Sequence, residues 1–411
     1  MNTETEDLLR AEAPQVLGAL ARRFGRFDIA EDAVQEALLA ASQSWPSQGV
    51  PENPRSWLIR IGYRRMVDLL RSEGARRRRE LEVGSAEFAM QHPTRAVQTM
   101  PTDDSLTVLM LCCHPALGRT SQVALTLRAV GGLSTAEIAH AYGVTEATMG
   151  TRISRAKQQL ARAGARFVPP TDADREHRMA AVMQVLYLIF NEGYTATAGT
   201  ELARVDLTHE AIRLTRTLRV LVPRDAEVTG LLALMLLTES RRTARAIAGE
   251  LIPLDEQDRS RWDRTLIDEG TQLLDSVWDH GHTGPYQLQA AIAATHAAGA
   301  TADHTDWPQI AMLYLWLERL TPTPPVQLSR VVAVAHAYGP DRGLALLNDL
   351  NRDHHLDQNP LTRQREPAVR AHLLEQTGDI TSAATLFHRA AELTGNQVEQ
   401  RYLRDKAHHL D

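Results

Sequence analysis

Cysteine is nearly absent. The two that occur among 411 residues, Cys112 and Cys113, are adjacent, so there is no disulfide framework. Aromatic residues make up 5% of the chain, β-branched clusters are scarce, and no stretch alternates apolar and polar residues over the length of a strand. The longest apolar candidate, LLALMLL at 231–237, falls far short of the ~18 residues a membrane span requires. The N-terminus, MNTETEDLLRAEAP, is acidic and lacks the basic-then-apolar layout of a secretory signal. A cytoplasmic protein without membrane contact is expected. No nucleophile motif, phosphate loop or metal-ligand spacing is present, so no enzymatic activity, catalytic residue or cofactor is expected.

The stretch LMLCCHPAL (109–117) has the residue types of a reaction centre but the wrong geometry. Neighbours on a helix point about 100° apart, so the two thiols do not converge on one metal. A disulfide between them is strained, because adjacent Cα atoms sit ~3.8 Å apart, below the usual limit of ~4.4 Å. Cys113 is in register with Leu106, Leu109 and Met110, which reads as core packing. His280, His282 and His296 have no carboxylate or cysteine at a recognised spacing, so no metal is expected there.

What the chain has throughout is helical periodicity, with apolar positions three and four residues apart. We read the fold as all-α. The length implies several domains, and three breaks divide the chain. GARRRRELEVGSAEFAMQHPTRAVQTMPTDD (74–104) has four arginines and little periodicity, RFVPPTDADRE (166–176) has a Pro-Pro stop, and TPTPP (321–325) interrupts the second half. The expected organisation is a domain at 1–73, a linker at 74–102, a domain at 103–166 and a helical region at 177–411. Charge differs between the halves. Residues 1–170 carry 21 Arg/Lys against 18 Asp/Glu, whereas residues 171–411 carry 24 against 33. The basic half is therefore the place to seek a nucleic-acid partner.

In the middle domain four short helices are expected. The first runs from the Asp103–Asp104–Ser105 cap signal to about Cys113, and the second covers 120–130. The third has Ser134 and Glu137 at capping-box spacing and ends at Gly143. Thr145 caps the fourth. The last two have the layout of a helix-turn-helix, with Ile138, Ala139, Val144, Met149 and Ile153 at packing positions. Thr145, Glu146, Thr148, Met149, Thr151 and Arg152 are of a length to meet base edges in a major groove. Arg155, Lys157, Arg162 and Arg166 suit phosphates. Spacing alone also fits a helical hairpin with a solvated basic face.

The first domain reads as helices at about 5–24, 28–43 and 54–73. In the second of these, Ala30, Val34, Ala37, Leu38 and Ala41 face a core and Glu31, Asp32, Gln35 and Glu36 stay outside. In the third, Trp57, Ile61 and Leu69 lie near one face, with Arg60, Tyr63, Arg64 and Arg71 largely on others. Such interleaving of rings and guanidiniums suits unpaired bases, and equally an ordinary solvated amphipath.

The order of the two modules is informative. AEDAVQEALLAA followed by a tryptophan, a proline-containing loop and NPRSWLIRIGYRRMVDLLR resembles region 2 of an extracytoplasmic-function (ECF) sigma factor of bacterial RNA polymerase. VALTLRAVGGLSTAEIAHAYGVTEATMGTRISRAKQQL resembles region 4 of the same family. DDSLTVLMLCCHPAL and VLYLIFNEGYTAT are similar to the subgroup with a long C-terminal extension related to tetratricopeptide repeats. The resemblance implies that Asp32, Gln35, Glu36 and Leu39 dock on the β′ clamp helices of core RNA polymerase. It implies that the loop at 46–54 and Arg60, Tyr63, Arg64 and Arg71 take the single-stranded −10 element of promoter DNA. It assigns the −35 element to Thr145, Thr148, Thr151, Arg152, Arg155 and Lys157, with region 4 also meeting the β flap. Arg76–Arg79 either add phosphate contacts or keep a linker solvated.

The acidic half is expected to form paired helices. In PAVRAHLLEQTGDITSAATLFHRAAEL (367–393), Gly378–Asp379 marks a turn, and Ala383, Phe387 and Ala390 have the small–large–small spacing of a tetratricopeptide repeat. GLALLNDL (343–350) echoes it with Gly343, Leu347 and Leu350. In NEGY (191–194), Gly193 suits a helix C-cap, and Glu192 and Tyr194 form a hinge or a contact with the sigma domains, or only end the helix. Stacked repeats leave a surface free for a protein or small-molecule partner; a purely structural lobe is the other reading. The leading expectation is a promoter-specificity subunit regulated in cis by this half. The alternative is a helix-turn-helix regulator with a helical sensor domain, acting without replacing the sigma subunit.

Overall fold

The structure is a computed structural model and describes residues 3–81, 104–142, 144–165, 172–247, 249–278 and 283–410. Among these the chain is all-α, with eighteen α-helices and strand only as two pairings of two residues each. It divides into two compact units, Met1–Leu186 and Tyr187–Asp411.

The first unit opens with α1 (Thr3–Phe24), α2 (Phe27–Gln48) and α3 (Pro54–Leu81). The expected core face of α2 is buried in full: Ala30, Val34, Ala37, Leu38 and Ala41. In α3 the fully buried stripe is Leu58, Gly62 and Met66, and Trp57, Ile61 and Leu69 are only half-buried beside it. Gly62 permits the close approach of α1, since a Cβ there would stand 2.7 Å from Leu20 Cδ1. Asn53 begins α3 by accepting the Ser56 N–H at 3.0 Å, and Pro54 opens its first turn, where its missing N–H costs nothing. α3 continues to Leu81, past the expected end at residue 73 and into the stretch read as linker. The rest of that stretch, 82–103, and the side chains of Arg76–Arg79 lie outside the described residues.

Next come α4 (Ser105–Cys112), α5 (Arg119–Ala129), α6 (Thr135–Ala141) and α7 (Glu146–Arg162). The capping box before α6 forms as expected, with Ser134 N–H donating to Glu137 Oε2 at 2.6 Å and Glu137 N–H to Ser134 Oγ at 3.1 Å. Thr145 Oγ1 caps α7 by accepting from Thr148 N–H at 3.2 Å. Asp104 differs from expectation. Its side chain makes no cap bond to α4 and instead pairs with Arg22 of α1. Gly143 and Arg166 lie outside the described residues.

Cys112 and Cys113 are both fully buried. Among the described residues their sulfurs reach Leu125 O and Thr126 Oγ1, each at 3.8 Å. Burial pushes both thiols up, Cys113 to about 12. They are packing residues, as their helical register implied.

α8 (Asp172–Tyr194) runs from the end of the first unit into the second, and Gly193 is not its C-cap. A Cβ at Gly193 would stand 2.5 Å from Thr208 N, so this glycine serves the close approach of α9 (Val205–Leu221). Glu192 closes the turn by accepting from Thr197 N–H at 3.0 Å. Tyr194 stacks on Phe190 with ring centroids 5.9 Å apart, and Arg245 lies 3.6 Å over its ring.

α10 (Ala226–Glu239), α11 (Arg264–Trp278), α12 (Pro285–Ala298), α13 (Trp307–Leu320), α14 (Pro324–Tyr338) and α15 (Pro340–His354) follow. The unit ends with α16 (Arg365–Thr377), α17 (Ile380–Leu393) and α18 (Gln397–Leu410). Proline in the first turn sets the start of α12 through α15. Gly378 adopts φ +89° at the end of α16, where a side chain would be strained, and Asp379 caps α17 through Ser382 N–H. Most helices pack on their chain neighbours, and α10 and α12 pack directly on each other across α11. Separate cores result: one runs through α10–α14, one joins Leu328, Leu347 and Leu350, and one joins Ala383, Phe387 and Ala390 to Leu403. The small–large–small residues singled out in the sequence, and Gly343 with Leu347 and Leu350, are all buried. His280 and His282 lie outside the described residues. His296 packs edge-on against Trp307 at 5.1 Å.

Candidate nucleic-acid interface

α7 is strongly two-sided. Met149, Ile153, Ala156, Lys157 and Leu160 form its buried face. Thr145, Glu146, Thr148, Thr151 and Arg155 are exposed and Arg152 is half-buried. Thr148, Thr151, Arg152 and Arg155 line one groove of about 410 Å³ with Ser121 and Gln159. Two corrections follow. Met149 is core and presents nothing to a base. Lys157, grouped with the −35 residues above, lies on the opposite face, where its neighbours along the helix are apolar.

Lys157 is one of only two lysines in the chain. Its Nζ donates to Glu31 Oε2 at 3.0 Å and to Asp32 Oδ1 at 2.6 Å, both on α2. Burial works against its ammonium, but the two carboxylates outweigh it and hold the Lys157 pKa above the ordinary lysine value. Arg128, from α5, donates through Nε to the other Glu31 oxygen at 2.9 Å and through Nη1 to Leu133 O at 3.3 Å. Glu31 is 1% exposed. It was expected outside and is inside. The sequence did carry a signal, because Glu31 falls on the same stripe as Phe27, Val34, Leu38 and Ala41. A carboxylate at such a position requires cationic partners.

The α2 residues assigned to polymerase share one face, at positions 32, 35, 36 and 39. Leu39 is 59% exposed. Gln35 donates to Arg128 O at 3.0 Å, and Glu36 pairs with Arg65 at 2.7 Å. Sequence reasoning missed the α1–α4 contacts as well, where Gln15 donates to Ser105 Oγ at 3.1 Å beside the Arg22–Asp104 pair.

On α3, Arg60, Tyr63, Arg64 and Arg71 are all exposed. Their spacing, i, i+3, i+4 and i+11, places them along one stripe. Phe24 packs against the Tyr63 ring at 5.4 Å and the Arg23 guanidinium lies 5.0 Å above it, so the ring is held with its exposed part presented. The loop before α3 is shorter than expected, because α2 continues through Pro46 to Gln48. Gly49, at φ +81°, turns the chain out of α2. Trp45 and Trp57 meet edge-on at 5.5 Å across the two helices that bracket the loop. The result is a cationic, partly aromatic stripe on α3 and a separate polar face on α7.

Comparison with known families finds three matches along the chain. Sigma-70 region 2 matches residues 8–76, and sigma-70 region 4 matches residues 107–160. A family of unknown function (DUF6596) matches residues 178–278. Uncharacterized protein R00370 of Rhizobium meliloti (strain 1021) is 42% identical over 405 residues, covering 97% of this chain and 93% of that protein. No solved structure matches the chain. Sigma factors are transcription factors, not enzymes, and work with core RNA polymerase on promoter DNA. The two sigma-70 regions in their order, with the helical half that follows them, show that the chain belongs to the sigma-70 family as an ECF-like sigma factor with a C-terminal extension.

Proposed function

We propose that this sigma factor directs core polymerase to specific promoters by dividing the work among three helices. α2 offers Asp32, Gln35, Glu36 and Leu39 to the clamp helices of β′. α3 takes the non-template strand of the −10 element on Arg60, Tyr63, Arg64 and Arg71, exchanging duplex for protein–single-strand contacts and so helping to melt it. α7 reads the −35 element through Thr145, Thr148, Thr151, Arg152 and Arg155 while region 4 meets the β flap. The observation that carries this reading is the sorting of the α7 side chains, with four candidates lining one open groove and the apolar residues on the other side.

The acidic half regulates these steps in cis, holding a protein or small-molecule partner on its helical hairpins. In vitro transcription with core polymerase tests both parts. Added protein should yield promoter-specific RNA, and none would sink the assignment. A chain ended before α8 should differ in activity or promoter choice; unchanged behaviour removes the regulatory role.

A further inference from the structure

Three arginines of the second unit, Arg241, Arg245 and Arg259, gather in the segment between α10 and α11 beside two aromatic rings. The Arg241 guanidinium lies 5.9 Å from the centre of the Tyr194 ring and 5.8 Å from that of Trp262. Arg245 lies over Tyr194, and Arg259 lies 5.0 Å over Trp262. None of the three is ion-paired with a carboxylate among the described residues. Arg245 donates to Tyr194 O and, at 2.8 Å, to Thr195 Oγ1. Arg259 donates to His296 O, Gly299 O and Thr305 Oγ1, each at 2.7 Å. Arg241 makes neither a hydrogen bond nor an ion pair among the described residues. Elsewhere in the unit half-buried guanidiniums are neutralised, Arg370 by Glu366 at 2.8 Å and Arg213 by Glu210 at 2.7 Å. Acidic residues outnumber basic ones in this half by 33 to 24, so their absence from this one cluster calls for a cause.

The same cluster holds three buried polar atoms without a hydrogen-bond partner among the described residues: Arg259 Nε, Trp262 Nε1 and His296 Nδ1. Arg259 is 5% and Trp262 3% exposed, so bulk water does not serve these atoms, and a buried donor left unpaired is costly. Arg259 Nε and Trp262 Nε1 can only donate. Burial, with Arg241 beside them, pushes the Arg245 and Arg259 guanidiniums below the ordinary arginine value. Cations without counter-ions and donors without acceptors have one common remedy, an oxyanion.

We propose that this cluster binds a small-molecule anion, whose carboxylate or phosphate group meets Arg241 between Tyr194 and Trp262. Arg241 is half-buried and gives the ligand access. Arg259 Nε and Trp262 Nε1 add donors from the buried side. The rings pack on the guanidinium faces and leave its N–H groups for the anion. The site gives a chemical class to the small-molecule partner proposed above for the acidic half, and in that respect it rests on that reading.

The indole N–H resonances supply the test. Full-length protein carrying isotope-labelled tryptophan has six indole groups, and the signal missing from Trp262→Phe belongs to Trp262. Inorganic phosphate and benzoate are titrated in turn at constant ionic strength, with chloride as the control anion. At least one probe should move the Trp262 signal saturably, with a Kd of about 1 mM or tighter. Which probe does so separates a phosphate ligand from a carboxylate. Arg241→Gln should weaken that binding about tenfold or more, and Arg241→Lys, which keeps the charge but loses the fork, should weaken it too. Arg352→Gln removes an exposed arginine paired with Asp349 and should leave binding unchanged. The site is overturned if neither probe moves the Trp262 signal, if chloride moves it equally, or if both Arg241 variants bind as the wild type does. Transcription with core polymerase, run with and without the saturating probe, reads regulation separately. Binding with unchanged transcription keeps the site and counts against the regulatory reading alone.

Discussion

Lys157 Nζ and Glu31 Oε2 stand 3.0 Å apart although 126 positions separate them in sequence. The pair brings the helix proposed to read duplex DNA against the helix proposed to bind polymerase. It also places on the buried side of α7 a cation that sequence spacing had grouped with the exposed residues.

The two sides of α7 should respond differently to substitution. Arg155→Ala, on the exposed groove, should weaken promoter binding of the polymerase complex by about tenfold or more if it contacts a base edge, at an unchanged melting temperature. Lys157→Met should leave that affinity within about twofold. Equal losses from both would contradict the sorting of the helix faces. Electrophoretic titration of promoter fragments with the assembled complex distinguishes them.

The α3 stripe is testable by salt. Each of Arg60, Arg64 and Arg71 that pairs with a phosphate of a single strand contributes about 0.7 to the slope of log affinity against log salt. The triple alanine variant should flatten the slope by about 2 on a single-stranded −10 oligonucleotide bound to the complex. Tyr63→Ala should cost about 1–3 kcal/mol with no change in slope, because stacking carries no charge. A flattened slope for Tyr63→Ala would instead point to displacement of the neighbouring arginines.

Cys112 and Cys113 should be silent until the protein unfolds. Both are buried and both thiols are pushed up, Cys113 to about 12, so neither supplies thiolate at neutral pH. Titration with a chromogenic disulfide should find no rapidly reacting thiol in native protein and two in urea. Replacing both with serine buries two hydroxyls and should destabilise by about 1–3 kcal/mol for each one that finds no partner. Stoichiometric zinc by metal analysis would overturn the packing role.

The second unit should weaken in mild acid. Burial, with Arg241 and Arg259 nearby, pushes His296 down to about 3 from an ordinary 6.5. Its Nδ1 has no hydrogen-bond partner among the described residues. The unfolded chain therefore binds a proton below pH 6.5 that the folded unit refuses. Stability present above 6.5 is lost as pH falls from there toward about 3, by up to about 1.4 kcal/mol per pH unit for one histidine. His336 and His372 are lowered too, chiefly by burial, and act in the same direction. Urea melts at pH 7.5 and 5.5 should show the loss, and His296→Phe should reduce it.

Much of this protein is determined by local sequence. Helical period, the Ser134–Glu137 box, the Thr145 cap, the Gly378–Asp379 turn and the buried face of α2 are set by residues a few positions apart. Such interactions repeat at fixed spacing and are legible in any single segment. The exposed stripe on α3 was legible for the same reason, since residues at 60, 63, 64 and 71 share a helix face in any context. Family membership was carried by the order of two such segments.

Tertiary structure decided the matters that depend on what a helix meets. Glu31 looked like an exposed carboxylate because its cations lie about a hundred residues away, and Lys157 looked like a phosphate ligand because its carboxylates do. Asp104 gave up its expected cap for Arg22, and Gly193 exchanged the role of helix stop for that of a gap through which α9 approaches. In each case side-chain chemistry was plain in the sequence, and the partner was not. A charge or a glycine states what kind of neighbour it needs, but only the packing of distant helices supplies one.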